Sequence, residues 1–265
     1  MLFGADNGNT NWKDDEILEL TQIYNFGPFE SLGLVNKSHI PPGHTKIQVH
    51  LIYDYKQDGR YKARTVASSN MTWPNIDTYY YIVISLRSMR TIVFLAELNN
   101  IETHTCDISN AYLTARTTEN IIFNSGSKFA PFGHAGHLPL IKTTIYGLKS
   151  SGARFHSQLS DSLIALGFVP SMGGCDIWIL NKGNYYPYVA CYCYDLIVVQ
   201  KDPGHIFESI IGKGFTINKT PALDYFLGVN FESVKYPKTN HEILTLVSKT
   251  YVNCMLDNFK NTFSF

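Results

Sequence analysis

Residues 188–199, with the sequence YVACYCYDLIVV, decide the fold, because a single acid, Asp195, interrupts an apolar and aromatic run. The valine, isoleucine and tyrosine content of this run predicts one buried β-strand. A second acid, Asp107, closes another predicted strand, residues 102–108 with the sequence ETHTCDI. An unpaired carboxylate buried in a sheet costs several kcal/mol, so each acid must meet a cation, hydrogen-bond donors or a turn open to water.

Three interpretations of these two acids are open from the residues alone. In the first, both acids converge on a divalent metal ion, because hard cations bind carboxylate oxygens. In the second, each acid is a turn residue at the end of its strand and has no chemical role. In the third, an unrelated α+β enzyme uses Asp107 and Asp195 as a general acid–base pair.

Periodic segments on both sides of these strands indicate the fold class. Residues 147–167 form the clearest predicted helix, which begins at a cap on Ser150 or Ser151 and ends at Gly167. The remaining predicted elements are helices at 11–24, 87–98 and 251–259, and strands at 46–55, 61–67, 176–180 and 224–232. Helices and strands are mixed without regular βαβ alternation, which predicts an α+β fold.

Composition excludes several classes of protein. The chain has 265 residues, and its 22 Lys+Arg balance its 22 Asp+Glu, so nucleic acid binding must depend on local basic patches. The N-terminus lacks a secretory signal, and charged residues interrupt the most apolar stretches, so no membrane span is expected. Five scattered cysteines favour reduced thiols, and the expected location is intracellular and cytoplasmic.

Seven blocks occur in a characteristic order along the chain. Together they resemble the reverse transcriptase domain of copia-type retrotransposons, over residues 11–262. The blocks are residues 62–67 (KARTVA), 107–113 (DISNAYL), 145–154 (IYGLKSSGAR), 166–168 (LGF), 192–196 (YCYDL), 225–228 (YFLG) and 248–251 (SKTY).

The resemblance implies a right-hand polymerase and its reaction. Residues 1–86 would form an N-terminal segment and the fingers, residues 87–232 a palm with an antiparallel sheet and helices on one face, and residues 233–265 the start of a truncated thumb or connection. The implied activity is RNA-directed DNA synthesis with two Mg or Mn ions. Its partners would be an RNA or DNA template–primer, deoxynucleoside triphosphates and other segments of an element polyprotein, in a cytoplasmic virus-like particle.

The resemblance also assigns roles to residues near the reacting groups. Asp107 and Asp195 would be metal ligands and catalytic residues. Lys62 and Arg64 would neutralise the triphosphate of the incoming nucleotide. Tyr112 would lie under the incoming sugar and reject a 2′-hydroxyl by its bulk.

Two further blocks would hold the template and the primer. The first supports the template and the incoming base, and its named residues are Tyr146, Gly147, Lys149 and Arg154. The second is a hairpin that positions the primer end, with Phe226, Leu227 and Gly228 at its turn.

One departure from the family pattern bears directly on activity. Where the family has Tyr-Val-Asp-Asp, this chain has Tyr-Cys-Tyr-Asp at 192–195, so Tyr194 occupies the position of a metal-binding aspartate. A phenol has an ordinary pKa of about 10 and is neutral at pH 7, so it cannot replace a carboxylate ligand. The sequence therefore predicts weak or absent synthesis, unless Asp176 or Asp202 supplies the missing ligand. The alternative is a non-catalytic relic that keeps the palm fold and at most binds nucleic acid.

Overall fold

The computed structural model describes residues 11–34, 40–56, 59–72, 83–132, 136–220, 222–235 and 242–263. The helices are α1 (Asn11–Phe26), α2 (Leu86–Leu98), α3 (Ala111–Thr114), α4 (Ser151–Ala165), α5 (Pro203–Ile211) and α6 (Lys249–Phe263). The strands are β1 (Phe29–Leu34), β2 (Thr45–Ile47), β3 (Val49–Tyr55), β4 (Tyr61–Ala67), β5 (Thr103–Ser109), β6 (Ile121–Phe123), β7 (His137–Ile141), β8 (Val169–Ser171), β9 (Gly174–Ile179), β10 (Tyr188–Tyr192), β11 (Asp195–Val199), β12 (Thr216–Thr220), β13 (Tyr225–Phe226), β14 (Val229–Lys235) and β15 (Glu242–Val247). This mixture of helices and sheets confirms the α+β prediction.

Contacts divide the chain into two compact units, each built from two stretches. The first unit comprises Met1–Tyr81 and Asn110–Asp161, and the second comprises Ile82–Ser109 and Ser162–Phe265. The predicted division into segments 1–86, 87–232 and 233–265 stays a prediction. No helix in the described ranges is long and apolar enough to cross a membrane. The cysteines at 106, 191, 193 and 254 are thiols and not disulfides.

The first unit contains a four-stranded sheet in the order β1-β7-β6-β2 and the separate hairpin β3-β4. Its core lies among apolar side chains of α1, both sheets and the turn before α4, including Leu20, Ile47, Phe123, Ile141 and Ile145. The single strand predicted over 46–55 is therefore wrong. The chain leaves the larger sheet after Ile47 and joins the hairpin at Val49, and the carbonyl of Gln48 between them accepts from the N–H of Ser68.

The second unit is organised by an antiparallel six-stranded sheet in the order β12-β5-β11-β10-β9-β8. On one face, Ile197 and Val199 share an apolar core with Met89 and Ile92 of α2. On the other face, the ring of His104 lies edge-on to Phe207 of α5 at 6.5 Å. Alternate residues of a strand point to opposite faces, so helices flank both faces of this sheet and the predicted single helical face is wrong.

The predicted strand over 188–199 is in fact a hairpin, β10-β11. Tyr192 pairs with Asp195, so Cys193 and Tyr194 form a two-residue turn. Cys193 has a φ of 55°, a left-handed conformation that such hairpin turns require. Neither turn residue is glycine or asparagine, the usual sequence signal for such a turn, and the apolar pattern therefore looks continuous.

The predicted strand over 224–232 is also a hairpin, between β13 and β14. Phe226 pairs with Val229, and the two turn residues, Leu227 and Gly228, have φ values of 53° and 78°. Two successive positive φ values define a turn whose twist matches that of the strands it joins. This block is therefore a hairpin, and its role at the primer end stays a prediction.

The helix predicted over 147–167 is shorter than expected and begins at Ser151. Residues 147–150 form the turn that precedes it, in which Gly147 has a φ of 88°. The predicted end is confirmed, because Gly167 has a φ of 87° and Phe168 donates its N–H to the carbonyl of Leu163.

Candidate functional site

Two acids from distant parts of the chain lie side by side in the six-stranded sheet. Asp107 of β5 and Asp195 of β11 are direct cross-strand partners, and Asn218 of β12 is the partner of Asp107 on its other side. Directly opposite residues of an antiparallel pair place their Cβ atoms about 5 Å apart on one face of the sheet. The sheet therefore brings together both predicted metal-binding carboxylates.

Burial and mutual repulsion make this pair costly to ionise. The pKa of Asp195 is raised to about 6, first because burial removes water and second because the Asp107 charge is close. Burial also raises the pKa of Asp107, and the hydrogen bond from Asn218 Nδ2 to Asp107 Oδ2, at 3.3 Å, partly offsets this effect. Two partly buried acids in register create a local excess of negative charge that a cation would relieve.

The turn between β10 and β11 is tied to the strand that carries Asp107. The N–H of Ile108 donates to the carbonyl of Tyr194 at 2.9 Å. The thiol of Cys191 contacts the carbonyl of Cys193 at 3.2 Å. The backbone at position 194 is thus fixed next to both acids, since Tyr194 precedes Asp195 and Ile108 follows Asp107.

Neither acid proposed as a substitute ligand is placed for that role. Asp202 caps the N-terminus of α5, where its side chain accepts from the N–H of Gly204, and it lies beyond the opposite end of β11 from Asp195. Asp176 is buried and precedes Ile177, which is the cross-strand partner of Ala190. Strand alternation therefore directs Asp176 to the sheet face opposite Asp195.

The donor set fits one divalent ion better than two. Asp107 and Asp195 offer the carboxylate oxygens that Mg²⁺ prefers, and Mg²⁺ completes its shell with water. A two-ion centre needs more shared anionic ligands than one pair supplies. Among the residues that the structure describes, no group of three or more His, Cys, Asp or Glu side chains could hold a metal ion.

A second cluster lies within the first compact unit and joins residues from three sequence blocks. The guanidinium of Arg64 lies 5.9 Å from the ring centre of Tyr146. The ring of Tyr146 meets that of Tyr112 edge-on at 5.1 Å, and Tyr112 in turn meets Phe155 at 6.2 Å. Three residues to which the resemblance gives nucleotide or template roles therefore form one cationic and aromatic cluster.

The hairpin β3-β4 presents its basic side chains on one face. Ala63, Thr65 and Ala67 are buried, so Lys62 and Arg64 alternate with them toward the other face. Arg64 also lies 3.8 Å from the carboxylate of Asp54 on β3, a partly exposed and weak ion pair.

Gly147 is required by both conformation and space. Its φ of 88° is unfavourable for any residue with a Cβ atom. A Cβ at this position would also contact the backbone carbonyl of Ala67 and lie 2.6 Å from Cγ1 of Val66. The block at 145–154 therefore approaches β4 so closely that only glycine fits.

The other residues predicted for template and primer binding have structural contacts. Lys149 donates to the carbonyl of Thr72 at 3.0 Å, and Arg154 donates to Oγ1 of Thr118 at 2.6 Å. Both cations are thus oriented by hydrogen bonds to the protein. Phe226 is 4% exposed and belongs to the core beside α2, and Leu227 packs against the same core, whereas Tyr225 and Gly228 of this hairpin are exposed.

Two groups of residues escaped the sequence prediction. Asn218 donates to Asp107 and also to Oγ of Ser109 at 2.7 Å, yet no strand was predicted around it. Asp15 and Glu19 of α1 accept hydrogen bonds from the backbone of β4. The acidic first turn of the predicted helix at 11–24 includes Asp15, but it does not indicate a contact with β4. No sequence pattern indicates that Glu19 is buried.

The second unit thus carries a pair of carboxylates in an antiparallel sheet, and the first unit carries a basic and aromatic strand surface. The family model described as reverse transcriptase (RNA-dependent DNA polymerase) matches residues 33–264. The chain therefore belongs to the reverse transcriptase family, which confirms the resemblance.

Similar proteins are polyproteins of copia-type transposons. The chain is 26% identical over 225 residues to the retrovirus-related Pol polyprotein from transposon RE1 of Arabidopsis thaliana, covering 79% of this chain and 15% of that protein. It is 22% identical over 230 residues to the retrovirus-related Pol polyprotein from transposon TNT 1-94 of Nicotiana tabacum, covering 83% and 17%. It is 27% identical over 191 residues to the truncated transposon Ty1-A Gag-Pol polyprotein of Saccharomyces cerevisiae, covering 69% and 15%. The chain thus spans less than a fifth of each of these relatives.

Proposed function

We propose that this copia-type reverse transcriptase domain binds nucleotides and a template–primer but has lost efficient DNA synthesis. One observation carries the proposal. Asp107 faces Asp195 in register, and the adjoining turn is tied to β5 through the carbonyl of Tyr194. By the family resemblance, position 194 would carry a third carboxylate. A phenol stays neutral at pH 7 and adds bulk where an anionic ligand is needed.

The acid pair and the basic and aromatic cluster would have different roles in the proposed function. The six-stranded sheet would act as the palm, with Asp107 and Asp195 holding a divalent ion. The hairpin β3-β4 would belong to the fingers, with Lys62 and Arg64 binding the triphosphate of the incoming nucleotide. The alternation of these cations with buried Ala63 and Thr65 supports this role, because it directs both cations to one face.

The remaining roles concern the nucleotide's sugar and the two strands of the template–primer. Tyr112 would exclude a 2′-hydroxyl, and its contact with Tyr146 supports a fixed position for its ring. Lys149 and Arg154 would contact template phosphates, and their hydrogen bonds to Thr72 and Thr118 support fixed positions for both cations. The turn at Leu227 and Gly228 would support the primer end. A divalent ion, when bound to the acid pair, would neutralise charge on the reacting phosphate.

A second candidate function is nucleic acid binding without any catalysis. The small donor set of the acid centre favours it, because a domain with two carboxylates can retain its fold and basic surfaces without turnover. The two candidates share the binding surfaces and differ in whether residual synthesis is measurable.

Primer extension on an RNA template, with Mg or Mn, tests the proposal. The comparison includes the parent chain, Tyr194→Asp, and Tyr194→Phe as a matched control that keeps the ring. We expect extension from Tyr194→Asp at a rate well above the parent, and no gain from Tyr194→Phe. Asp107→Asn in the Tyr194→Asp background should abolish extension.

Other results have distinct meanings. A parent that extends primer as fast as Tyr194→Asp would show that Tyr194 is not the cause of impairment. Gain in Tyr194→Phe as well would assign the defect to the hydroxyl and not to the lost charge. If the parent and Tyr194→Asp both bind template–primer but neither extends the primer, the second candidate function is supported.

A further inference from the structure

The outer edge of β4 is closed by acceptors that do not belong to a strand. In an antiparallel ladder every second N–H points away from the paired strand. On β4 these outward groups belong to Ala63, Thr65 and Ala67. Ala63 donates to the Asp15 carboxylate, Thr65 donates to Glu19 Oε1 at 2.8 Å, and Ala67 donates to the carbonyl of Tyr146 at 2.7 Å.

The spacing of the two carboxylates matches the strand they cap. Asp15 and Glu19 are four residues apart on α1, which is about 6 Å along a helix. Ala63 and Thr65 are two residues apart on β4, which is about 6.7 Å along a strand. Two acids one helical turn apart can therefore accept hydrogen bonds from two outward N–H groups of β4, as a neighbouring strand would.

The position of Glu19 is energetically costly. Its residue is 5% exposed, and burial raises the pKa of its carboxyl above the ordinary value. The hydrogen bond from Thr65 and the charges of Lys62 and Arg64 partly offset that cost. An apolar side chain at this buried position would avoid the desolvation cost but would leave the N–H of Thr65 without its acceptor.

The two basic residues of the strand are direct neighbours of the capped N–H groups. Lys62 and Arg64 flank Ala63, and Arg64 is set between Asp54 at 3.8 Å and the ring of Tyr146 at 5.9 Å. Because Asp54 is on β3 of the same hairpin, a shift of β4 relative to the 145–154 block would change chiefly the contact of Arg64 with Tyr146. The carboxylates of α1 thus bind the β4 backbone at Ala63 and Thr65, next to its two basic residues.

We propose that Asp15 and Glu19 are positioning residues for Lys62 and Arg64, and that α1 holds β4 so that both cations meet a nucleotide triphosphate. This inference rests on the proposed function, because it needs the basic face of the hairpin to bind a triphosphate. It adds to that function two acids that act through backbone hydrogen bonds and do not touch the nucleotide.

Binding of dTTP and Mg²⁺ to the full chain with a template–primer is the test. Glu19→Ala removes the acceptor, whereas Glu19→Gln keeps an oxygen that can accept from Thr65. Glu16→Ala is the matched control on the same helix, since Glu16 accepts from Tyr53 and Lys128 and not from β4. We expect Glu19→Ala to weaken dTTP binding about tenfold, with Glu16→Ala and Glu19→Gln within about twofold of the parent.

A double-mutant cycle with Arg64→Ala separates positioning from general loosening. If Glu19 acts through both cations, Glu19→Ala costs less dTTP affinity in the Arg64→Ala background than in the parent, because only Lys62 is left to lose its position. Additive losses, or equal effects of Glu19→Ala and Glu16→Ala, would overturn the proposal. If Glu19→Ala does not fold, Glu19→Asp makes the same comparison, because it withdraws the carboxylate by one methylene.

Amide hydrogen exchange distinguishes the two ways in which the idea can fail. Faster exchange at Thr65 in Glu19→Ala, with unchanged dTTP affinity, would leave the proposed function intact and overturn the positioning role. Failure of the parent chain to bind dTTP at all would overturn the nucleotide-binding surface of the proposed function, and this proposal with it.

Discussion

Asp107 and Asp195 are paired residue for residue across the β5-β11 ladder, so the backbone of the sheet sets their separation. Their two side chains lie on one face whether or not a cation is present, because strand alternation leaves them no other choice. The resulting repulsion is built into the fold, and the hydrogen bond from Asn218 relieves it on the Asp107 side.

Asp195→Asn should remove a pH-dependent loss of stability. The folded-state pKa of Asp195 is about 6, against an ordinary value of 3.8, so the folded protein binds the proton more tightly than the unfolded chain. The stability that this group contributes is therefore present below about pH 4 and is lost as the pH rises through 6. Urea unfolding without divalent ions should show Asp195→Asn more stable than the parent at pH 7 by about 1–2 kcal/mol, a figure reduced for partial solvation. Equal stability at pH 7, or a difference that grows toward pH 4, would contradict the prediction.

Mg²⁺ or Mn²⁺ should stabilise the parent chain through the acid pair. A concentration ten times the dissociation constant adds about 1.4 kcal/mol, or about 2–4 °C in the melting temperature. We expect Asp195→Asn to lose most of this shift and Tyr194→Asp to reach the same shift at lower metal concentration. An equal shift in the parent and in Asp195→Asn, measured by thermal melting at matched ionic strength, would place the binding elsewhere.

Gly147→Ala should destabilise the first compact unit strongly. An alanine here would have to keep a positive φ, and its Cβ would press against Val66 and the backbone of Ala67. We therefore expect the free energy of unfolding to fall by more than about 2 kcal/mol. Gly43→Ala is the matched control, because Gly43 has a φ of 75° and no atom within 4 Å of a built Cβ. Urea unfolding of both variants should give Gly43→Ala a loss of only about 1–2 kcal/mol. Similar losses in the two variants would mean that the close approach to β4 carries no cost.

Thr65→Val should leave stability unchanged or increase it. The N–H of Thr65 has its partner in Glu19, whereas its side-chain Oγ1 is buried without a hydrogen-bond partner among the described residues. Replacing an unsatisfied buried hydroxyl with a methyl group of similar size removes a desolvation cost of about 1–3 kcal/mol. A clear loss of stability on thermal unfolding would show that the hydroxyl has a partner that matters.

Local patterns in the sequence were sufficient for part of this fold. Helical periodicity located α1, α2 and α6, because each presents a repeat that depends only on residues within a few turns. The ordered blocks identified the family, and the Tyr194 departure is visible in the sequence without any structure. The turn at Cys193 and Tyr194 was missed because neither residue carries the usual turn signal.

The sequence by itself determined the α+β class, the family, both acids and the phenol beside them. Only the tertiary structure decided that Asp107 faces Asp195, that Asn218 supports Asp107, and that Asp15 and Glu19 close the edge of β4. Periodicity reports which face of an element is apolar, whereas register and edge contacts join residues far apart in the chain. They depend on how whole elements pack against one another, and a local pattern carries no record of that packing.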